Sequence, residues 1–224
     1  MTSPSTTPQP ALPRRVHCQA CTRPVSMCLC SLVASVVTDV ELLILQHPLE
    51  VSNAKGSARL LALSLPGSRI LTGETFDEVE LVSLLSAGGR APVLLYPETP
   101  DARALGLPPA TMLARGALPR PDKLRLVVLD GTWRKSRKLL YVNPPLQVVP
   151  RFALAGMPPS HYRVRKAHHP DQLSTLEAAC YALAQIDGDA NKFRPILAAF
   201  DTFVERLAAR QTDVTSTHPV TNEA

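Results

Sequence analysis

The stretch "LRLVVLDGTWRKSRKLLYV", residues 124–142, decides the fold class because it holds a strand-to-helix junction of unusual composition. Its first seven residues are mostly aliphatic and end in Asp130, which predicts a strand covered on both faces. Gly131, Thr132 and Trp133, the only tryptophan, follow directly. Four basic residues come next: Arg134, Lys135, Arg137 and Lys138. A buried strand therefore brings an acid and an aromatic ring to the edge of the predicted sheet and continues into a densely basic helix.

Similar runs on both sides of this junction predict the other elements. Aliphatic runs predict strands at 40–46, 68–73 and 91–97. Helical periodicity predicts helices at 56–65, 76–87, 174–186 and 192–210, the last starting near Pro195. Because strands alternate with helices, we predict an α/β fold with a mostly parallel sheet and flanking helices.

Two Pro-rich segments, 97–121 and 144–160, are predicted to be loops. In an open parallel sheet, ligands bind beyond the carboxyl ends of the strands. The residues at 46–50, 96–99 and 130–133 follow predicted strands, so a site is expected among them.

The composition is that of a globular chain with polar ends. Of its 224 residues, 45% are hydrophobic, and the mean hydropathy is +0.03. No apolar run approaches the roughly 20 residues that a membrane-spanning helix needs, and the N-terminus lacks the apolar core of a secretory signal. We therefore expect a cytoplasmic protein without a membrane partner, with disordered tails at 1–14 and 211–224.

Positive charge is concentrated in one part of the chain. The net charge is +5, yet residues 115–166 contain twelve Lys or Arg residues against two acids, so that part carries +10 and the remainder −5. Such segregation favours a phosphate-bearing partner, that is, a nucleic acid. The alternative that this pattern leaves open is a solvated basic face.

Four cysteines near the N-terminus have the spacing of a metal site. Cys18, Cys21, Cys28 and Cys30 form a C-x2-C-x6-C-x-C pattern. Four thiolates this close in sequence can complete a tetrahedral zinc site with no open position, so we predict a structural zinc module over residues 15–34. Unligated or redox-active thiols are the alternative.

Each candidate site residue also has a purely structural interpretation. Asp130 lies at the predicted ligand-binding edge, but an Asp before a helix also serves as its N-cap. Trp133 suits either a stacking platform or the core. Ser174 and Glu177 match a capping box, and the sequence leaves open whether that helix terminus also abuts a ligand. Glu50, which follows the first strand, ranks below Asp130 as a site residue.

Several motifs together resemble the DTW-domain family. The motif of its name stands here as Asp130, Thr132 and Trp133, with Gly131 interposed. The cysteine cluster and further stretches fit the same family in the expected order: "LQHPLE" (45–50), "KGSARLL" (55–61), "LLYPE" (94–98), "YRVRK" (162–166) and "LSTLEAACYAL" (173–183). The resemblance spans about residues 17–186, which is most of the chain between the two tails.

The resemblance implies a tRNA-uridine aminocarboxypropyltransferase with a SPOUT-like catalytic domain over residues 35–210 and a knotted cofactor site. Such enzymes transfer the 3-amino-3-carboxypropyl group of S-adenosylmethionine to N3 of a tRNA uridine and release methylthioadenosine. Catalytic roles are implied for Asp130, Thr132 and Trp133. The implied S-adenosylmethionine pocket contains Tyr96, Pro97, Leu129, Asp130, Gly131, Ser174, Thr175 and Glu177.

The implied chemistry depends mainly on orientation. A sulfonium makes its neighbouring carbons electrophilic, so the protein has to align the uridine nitrogen with the γ-carbon of the methionine moiety rather than with its methyl group. Deprotonation or hydrogen bonding of N3–H would assist the attack. Asp130 is the candidate for this role, either as a base or as a group that orients the imide or the cofactor's ammonium.

Basic side chains are expected to hold tRNA phosphates without reading the sequence. The predicted set is Arg59, Arg134, Lys135, Arg137, Lys138, Arg163, Arg165 and Lys166. The uridine is expected to leave its stack to reach the pocket. The resemblance favours a monomer, although proteins of SPOUT-like fold often dimerise.

Two other functions remain open on the sequence alone. A SPOUT-type RNA methyltransferase would share the cofactor and the partner but transfer the methyl group. A non-catalytic zinc-knuckle RNA-binding protein would not bind S-adenosylmethionine. A dinucleotide-binding oxidoreductase is disfavoured because no G-x-G-x-x-G motif follows a predicted strand.

Overall fold

One five-stranded, all-parallel sheet forms the centre of the computed structural model, which describes residues 16–99, 106, 108–160 and 173–216. The strands are β1 Glu41–Gln46, β2 Arg69–Thr72, β3 Ala91–Leu95, β4 Leu124–Asp130 and β5 Arg151–Phe152. They lie in the order β2-β1-β4-β3-β5, and every pairing is parallel. The predicted α/β class with a parallel sheet is confirmed.

The central strand, β4, is the aliphatic run that precedes Gly131. All seven of its residues are buried, as its composition predicts. It pairs with β1 on one side and with β3 on the other, and the register places Gln46 opposite Asp130. The carboxyl ends of β1 and β4 therefore meet at one edge of the sheet.

Helices cover both faces of the sheet. Within the described residues they are α1 Pro48–Val51, α2 Ala58–Ser64, α3 Glu78–Ser86, α4 Trp133–Val142, α5 Pro144–Gln147, α6 Thr175–Asp187 and α7 Arg194–Ser216. One core packs under α2, α6 and α7, and the other under α3, α4 and α5. Strand β1 divides its side chains between them by strict alternation: Leu42 and Ile44 enter the first core, and Leu43 and Leu45 the second.

The prediction of a loop over 144–160 is wrong, because this segment contains both α5 and β5. Strand β5 is only two residues long and begins with Arg151, which is fully buried. A short strand headed by a charged residue has no hydrophobic period to detect. Prolines at the start of α5 are compatible with a helix, since the first turn needs no proline N–H.

The cysteine segment packs directly against this fold. Cys21 and Leu29 are buried in the first core, and two short 3₁₀ turns lie at Val25–Met27 and Cys30–Leu32. Cys180, on α6, is fully buried in the same core, as expected of a small hydrophobic side chain.

The two chain ends are only partly described. Helix α7 continues to Ser216, six residues past the boundary predicted at 210. Residues 1–15 and 217–224 lie outside the described part of the chain, so the prediction of disorder there stays a prediction. No helix of the described residues combines the length and the apolar character needed to cross a bilayer.

Candidate functional site at the carboxyl edge of the sheet

Asp130 is held from two sides at the carboxyl edge. Gln46, the last residue of β1, donates from Nε2 to Asp130 Oδ2 at 2.8 Å. Thr175, the first residue of α6, donates from Oγ1 to Asp130 Oδ1 at 2.7 Å. The carboxylate is 5% exposed, so these two donors fix its orientation in a site with little water.

The first residues of α4 show which residue caps this helix. Thr132 is the N-cap of this helix, and its side chain accepts a hydrogen bond from Lys135 N at 3.3 Å. The capping role that Asp130 could have taken therefore belongs to Thr132. A Cβ at Gly131 would come within 3.0 Å of Lys135 Cβ, so the glycine permits this close turn from strand to helix.

A buried ion pair lies beside this turn. Glu50, on α1, is 7% exposed. Its Oε1 accepts from Lys135 Nζ at 2.8 Å, and its Oε2 accepts from Asn53 Nδ2 at 2.8 Å. Lys135, which was predicted to bind RNA, is paired with this acid, and its contact with RNA stays a prediction. The sequence ranked Glu50 below Asp130, whereas the structure places both at the same site.

Two cavities lie next to these acids. The first, of about 60 Å³, is lined by Glu50, Asn53, Lys55, Gly56, Ser57, Asp130, Gly131, Ser174 and Thr175. The second, of about 230 Å³, is lined by Cys21, Thr22, Arg23, Gln46, Glu50, Val51, Gly56, Arg59, Ile70 and Thr72. Glu50 and Gly56 border both. Asp130 is therefore buried but lies against a hollow, and four of the predicted cofactor residues line it: Asp130, Gly131, Ser174 and Thr175.

Two aromatic rings, those of Trp133 and Tyr96, contact each other, and neither lines either cavity. Trp133 is 51% exposed, so it is not a core residue. Its ring meets Tyr96 edge to face, with centroids 5.9 Å apart. The Arg151 guanidinium lies over the other ring at 5.5 Å from the Tyr96 centroid, and burial raises the pKa of the Tyr96 phenol. The other predicted pocket residues nearby differ in exposure: Pro97 is exposed, and Leu129 is buried.

The start of α6 is the capping box that its sequence matches. Ser174 Oγ accepts from Glu177 N at 3.2 Å, and Glu177 Oε2 accepts from Ser174 N at 2.7 Å. Ser160 Oγ also donates to the Glu177 carboxylate, at 2.8 Å. Glu177 is 2% exposed and lines neither cavity, so in this structure its carboxylate serves the helix start. Ser174 caps the helix and borders the smaller cavity as well.

The predicted RNA-binding residues differ in their exposure and in their contacts. Arg134 and Arg137 are exposed on α4. Lys138 Nζ contacts Glu74 Oε1 at 2.8 Å, and this ammonium, with His47, lowers the pKa of the Glu74 carboxyl. Arg59 Nη2 donates to the carbonyl of Ala20 and lines the larger cavity. The remaining three lie outside the described residues: Arg163, Arg165 and Lys166.

The four N-terminal cysteines have the geometry of a zinc site. Their sulfur atoms all lie within 4.8 Å of one another. Cys18 Sγ and Cys30 Sγ are 3.6 Å apart, and Cys21 Sγ and Cys28 Sγ are 3.7 Å apart. Zn–S bonds of about 2.3 Å in a tetrahedron place sulfurs roughly 3.8 Å apart, so the cluster fits the metal. Backbone N–H groups of Cys21 and Ala20 lower the pKa of Cys18 to about 6, whereas hydrogen bonds with Cys28 and Cys18 raise the pKa of Cys30, so the sulfurs of the cluster differ in acidity.

Arg23 connects this cluster to the cavities. It lies two residues after Cys21, and its guanidinium donates to Ala54 O at 2.6 Å and to Gly56 O. These carbonyls belong to the α1–α2 loop, residues 52–57, from which Asn53 and Gly56 line the smaller cavity.

The sequence did not predict Asn53 or Arg23 as site residues, and it included Gln46 only as part of segment 46–50 at the end of the first strand. Gln46 ends an otherwise aliphatic strand, and this polar end of β1 was the available signal. Asn53 and Arg23 lie in loops without a periodic pattern, and their roles depend on contacts across the fold.

The fold and the site define an α/β protein with an all-parallel sheet, a polar hollow at its carboxyl edge and an attached four-cysteine cluster of metal-binding geometry. A sequence model described as "DTW domain" matches residues 15–208. The chain therefore belongs to the DTW-domain family.

Curated relatives carry the names of tRNA-modifying enzymes. The chain is 31% identical over 182 residues to "tRNA-uridine aminocarboxypropyltransferase 2" of Mus musculus, covering 78% of this chain and 57% of that protein. It is 29% identical to the protein of the same name of Drosophila melanogaster, covering 78% and 68%. It is 28% identical over 148 residues to "tRNA-uridine aminocarboxypropyltransferase A" of Arabidopsis thaliana, covering 59% and 53%. The chain thus spans little more than half the length of the mouse and plant relatives. No solved structure matches the chain.

Proposed function

We propose that the protein is an S-adenosylmethionine-dependent tRNA-uridine aminocarboxypropyltransferase. The observation that carries the proposal is the polar hollow at the carboxyl edge, which Asp130 borders, in a chain whose relatives are named for this activity. The all-parallel sheet is compatible with a SPOUT-like fold, and we include that fold, with a knotted cofactor site, in the proposal.

The proposed reaction forms a bond between uridine N3 and the γ-carbon of the methionine moiety. The bond between that carbon and the sulfonium sulfur breaks, and its electron pair leaves on sulfur as methylthioadenosine. The N3 proton passes to solvent or to a protein carboxylate. S-adenosylmethionine supplies only the activated carbon, so the protein's contribution is to align the nucleophile with that carbon and to exclude water.

The residues of the hollow have separate roles in this proposal. Asp130, held by Gln46 and Thr175, presents a fixed negative charge to a cationic group or to the imide. Trp133 offers an exposed ring at the start of α4, which suits stacking against a base. The N-cap role of Thr132 aligns Gly131 and the first turn of α4 with the hollow.

The four cysteines are proposed to hold a structural zinc ion, because four thiolates leave no open position for catalysis. We propose a cytoplasmic protein that acts on tRNA. The strongly basic sequence around α4 supports a phosphate-bearing partner.

Nucleoside mass spectrometry tests the function directly. Purified protein incubated with tRNA and S-adenosylmethionine is expected to yield aminocarboxypropyl uridine and an equal amount of methylthioadenosine. A single added methyl group would identify an RNA methyltransferase instead. Unmodified tRNA, together with no calorimetric signal for S-adenosylmethionine, would identify an RNA-binding protein without catalysis.

The exposed arginines of α4 are expected to bind tRNA phosphates. Replacing Arg134 and Arg137 together by Ala should weaken tRNA binding by about tenfold and reduce the slope of log affinity against log salt by about two, one for each lost phosphate contact. Filter binding over a salt series measures both quantities. Arg120→Ala with Lys123→Ala is the matched control, since both side chains are exposed at the amino end of β4. An unchanged salt slope in the α4 variant would remove these arginines from the interface.

A further inference from the structure

We propose that the larger cavity, between the cysteine segment and the β1–α1 turn, is the pocket that receives the target uridine as a splayed-out nucleotide. The inference rests on the proposed function and deepens it, because it assigns the acceptor base to one of the two cavities. The volume of this cavity, about 230 Å³, is more than one pyrimidine ring needs.

The walls of the larger cavity match the parts of a uridine nucleotide. Val51 and Ile70 supply apolar surface for the faces of the ring. Gln46 and Thr72 supply an amide and a hydroxyl, the groups that pair with the O2, N3–H and O4 edge of uracil. Enzymes that act on a base commonly read the extruded ring through this edge.

Two arginines supply positive charge for a phosphate. Arg23 and Arg59 both line the cavity. A guanidinium that lines a cavity favours a negatively charged oxygen acceptor. A phosphate oxygen of RNA is such an acceptor.

The two cavities meet at the residues that the reaction needs. Glu50 and Gly56 border both cavities. Gln46 lines the larger cavity and donates to Asp130, which lines the smaller one. A base in the larger cavity would therefore approach, at this junction, a donor group held beside Asp130. The Gln46–Asp130 hydrogen bond therefore joins the walls of the two cavities directly.

Filling the larger cavity from its mouth tests the proposal without touching Asp130. Val51 is 58% exposed on α1 and lines the larger cavity alone, so Val51→Trp is expected to block the base while folding normally. Thr72→Phe fills the same space from the exposed end of β2. Leu49→Trp is the matched control, because Leu49 lies on the same helix, is 67% exposed and lines neither cavity.

Two readouts separate this pocket from the proposed function. The first is binding of uridine 5′-monophosphate, followed by saturation-transfer NMR, which needs no turnover. The second is the rate of tRNA modification alongside calorimetric binding of S-adenosylmethionine. We expect Val51→Trp and Thr72→Phe to lose the uridylate signal and at least tenfold in turnover, with S-adenosylmethionine affinity within twofold of the parent protein. The Leu49→Trp variant should match the parent in all three.

The outcomes are distinct. Uridylate signals that are equal in the parent and in both cavity variants overturn the pocket, as does the absence of any signal from the parent protein. Full turnover by both cavity variants overturns the pocket and leaves the transferase function standing. A parent protein that binds uridylate in this cavity but modifies no tRNA supports the pocket and removes the proposed function.

Discussion

Asp130→Asn is expected to lower turnover on tRNA by about 10²–10³ while leaving the fold intact. Removing one preorganised charge or hydrogen-bonding group from an enclosed site typically has an effect of about this size. The site fits that case because Asp130 is 5% exposed and both of its oxygens accept hydrogen bonds from fixed donors. Initial rates of aminocarboxypropyl uridine formation measure the loss.

The folded state should tolerate this substitution. Asn is nearly isosteric with Asp, and its oxygen can still accept from Thr175 Oγ1. Its amide nitrogen would face Gln46, whose own amide can turn to present oxygen, so the Gln46 contact is rebuilt with the donor reversed. The free energy of unfolding is therefore expected to change by about 1 kcal/mol or less. Denaturant unfolding checks this expectation.

Asp187→Asn is the matched control for Asp130→Asn. Asp187 is also a largely buried aspartate with two partners, since its Oδ2 accepts from Lys192 Nζ at 2.5 Å and from Thr38 Oγ1 at 3.3 Å. It ends α6, whereas Asp130 meets the start of that helix. Loss of its ion pair should cost more stability than the change at Asp130 but leave turnover unchanged. Equal turnover by Asp130→Asn and the parent would remove Asp130 from the mechanism.

The sequence placed Asp130 correctly at the carboxyl end of a strand, because the position of a strand end is a local property. The run 124–130 has a clear aliphatic pattern, and its acid falls at the carboxyl end whatever its neighbours are. The spacing of Ser174 and Glu177 is also a local property. It predicted a capping box, and the structure contains one. Features encoded within about ten residues were therefore predicted well.

Local sequence patterns did not predict the long-range contacts that complete the site. Gln46 reaches Asp130 only because β1 and β4, which are not consecutive strands, lie side by side in a particular register. Glu50 and Lys135 are 85 positions apart in the chain. The charge pattern did not predict this ion pair, since a basic residue on a helix looks the same in sequence whether or not a buried acid lies within its reach. Strand order and register depend on packing of the whole sheet, and one sequence does not specify them by periodicity.

Chelation of the zinc ion proposed at the cysteine cluster is expected to have the second large effect: it should lower stability and then loosen the walls of the cavities. Structural zinc sites of this kind contribute on the order of 10 kcal/mol of binding free energy, comparable with the whole stability of a domain. Cys21 and Leu29 are buried in the core that α2, α6 and α7 share, so loosening the cluster opens that core. Thermal unfolding with and without a zinc chelator should show a large drop in Tm, reversed by added zinc. An unchanged Tm would mean that the four thiols have no structural metal.

Arg23 is the residue through which loosening of the cysteine cluster is expected to affect the cavities. Its guanidinium donates to carbonyls of Ala54 and Gly56, and it is the described link between the cysteine loop and residues 52–57. Arg23→Lys keeps the charge but loses the planar fork that bonds two carbonyls at once. Amide hydrogen exchange over 53–57 is expected to rise by about tenfold, which corresponds to about 1.4 kcal/mol of lost local stability.

Arg210→Lys separates this local effect from a general loosening of the cysteine segment. Arg210, on α7, donates to Ser26 O, so it contacts the same segment at a residue that lines neither cavity. Its replacement should raise exchange around Ser26 but leave residues 53–57 protected. If both variants raised exchange over 53–57 equally, Arg23 would be one of several general contacts. If only Arg23→Lys raises exchange over 53–57, the carbonyls of this loop depend on Arg23, whose position the cysteine cluster fixes. The cysteine cluster then supports the cavity wall through this side chain.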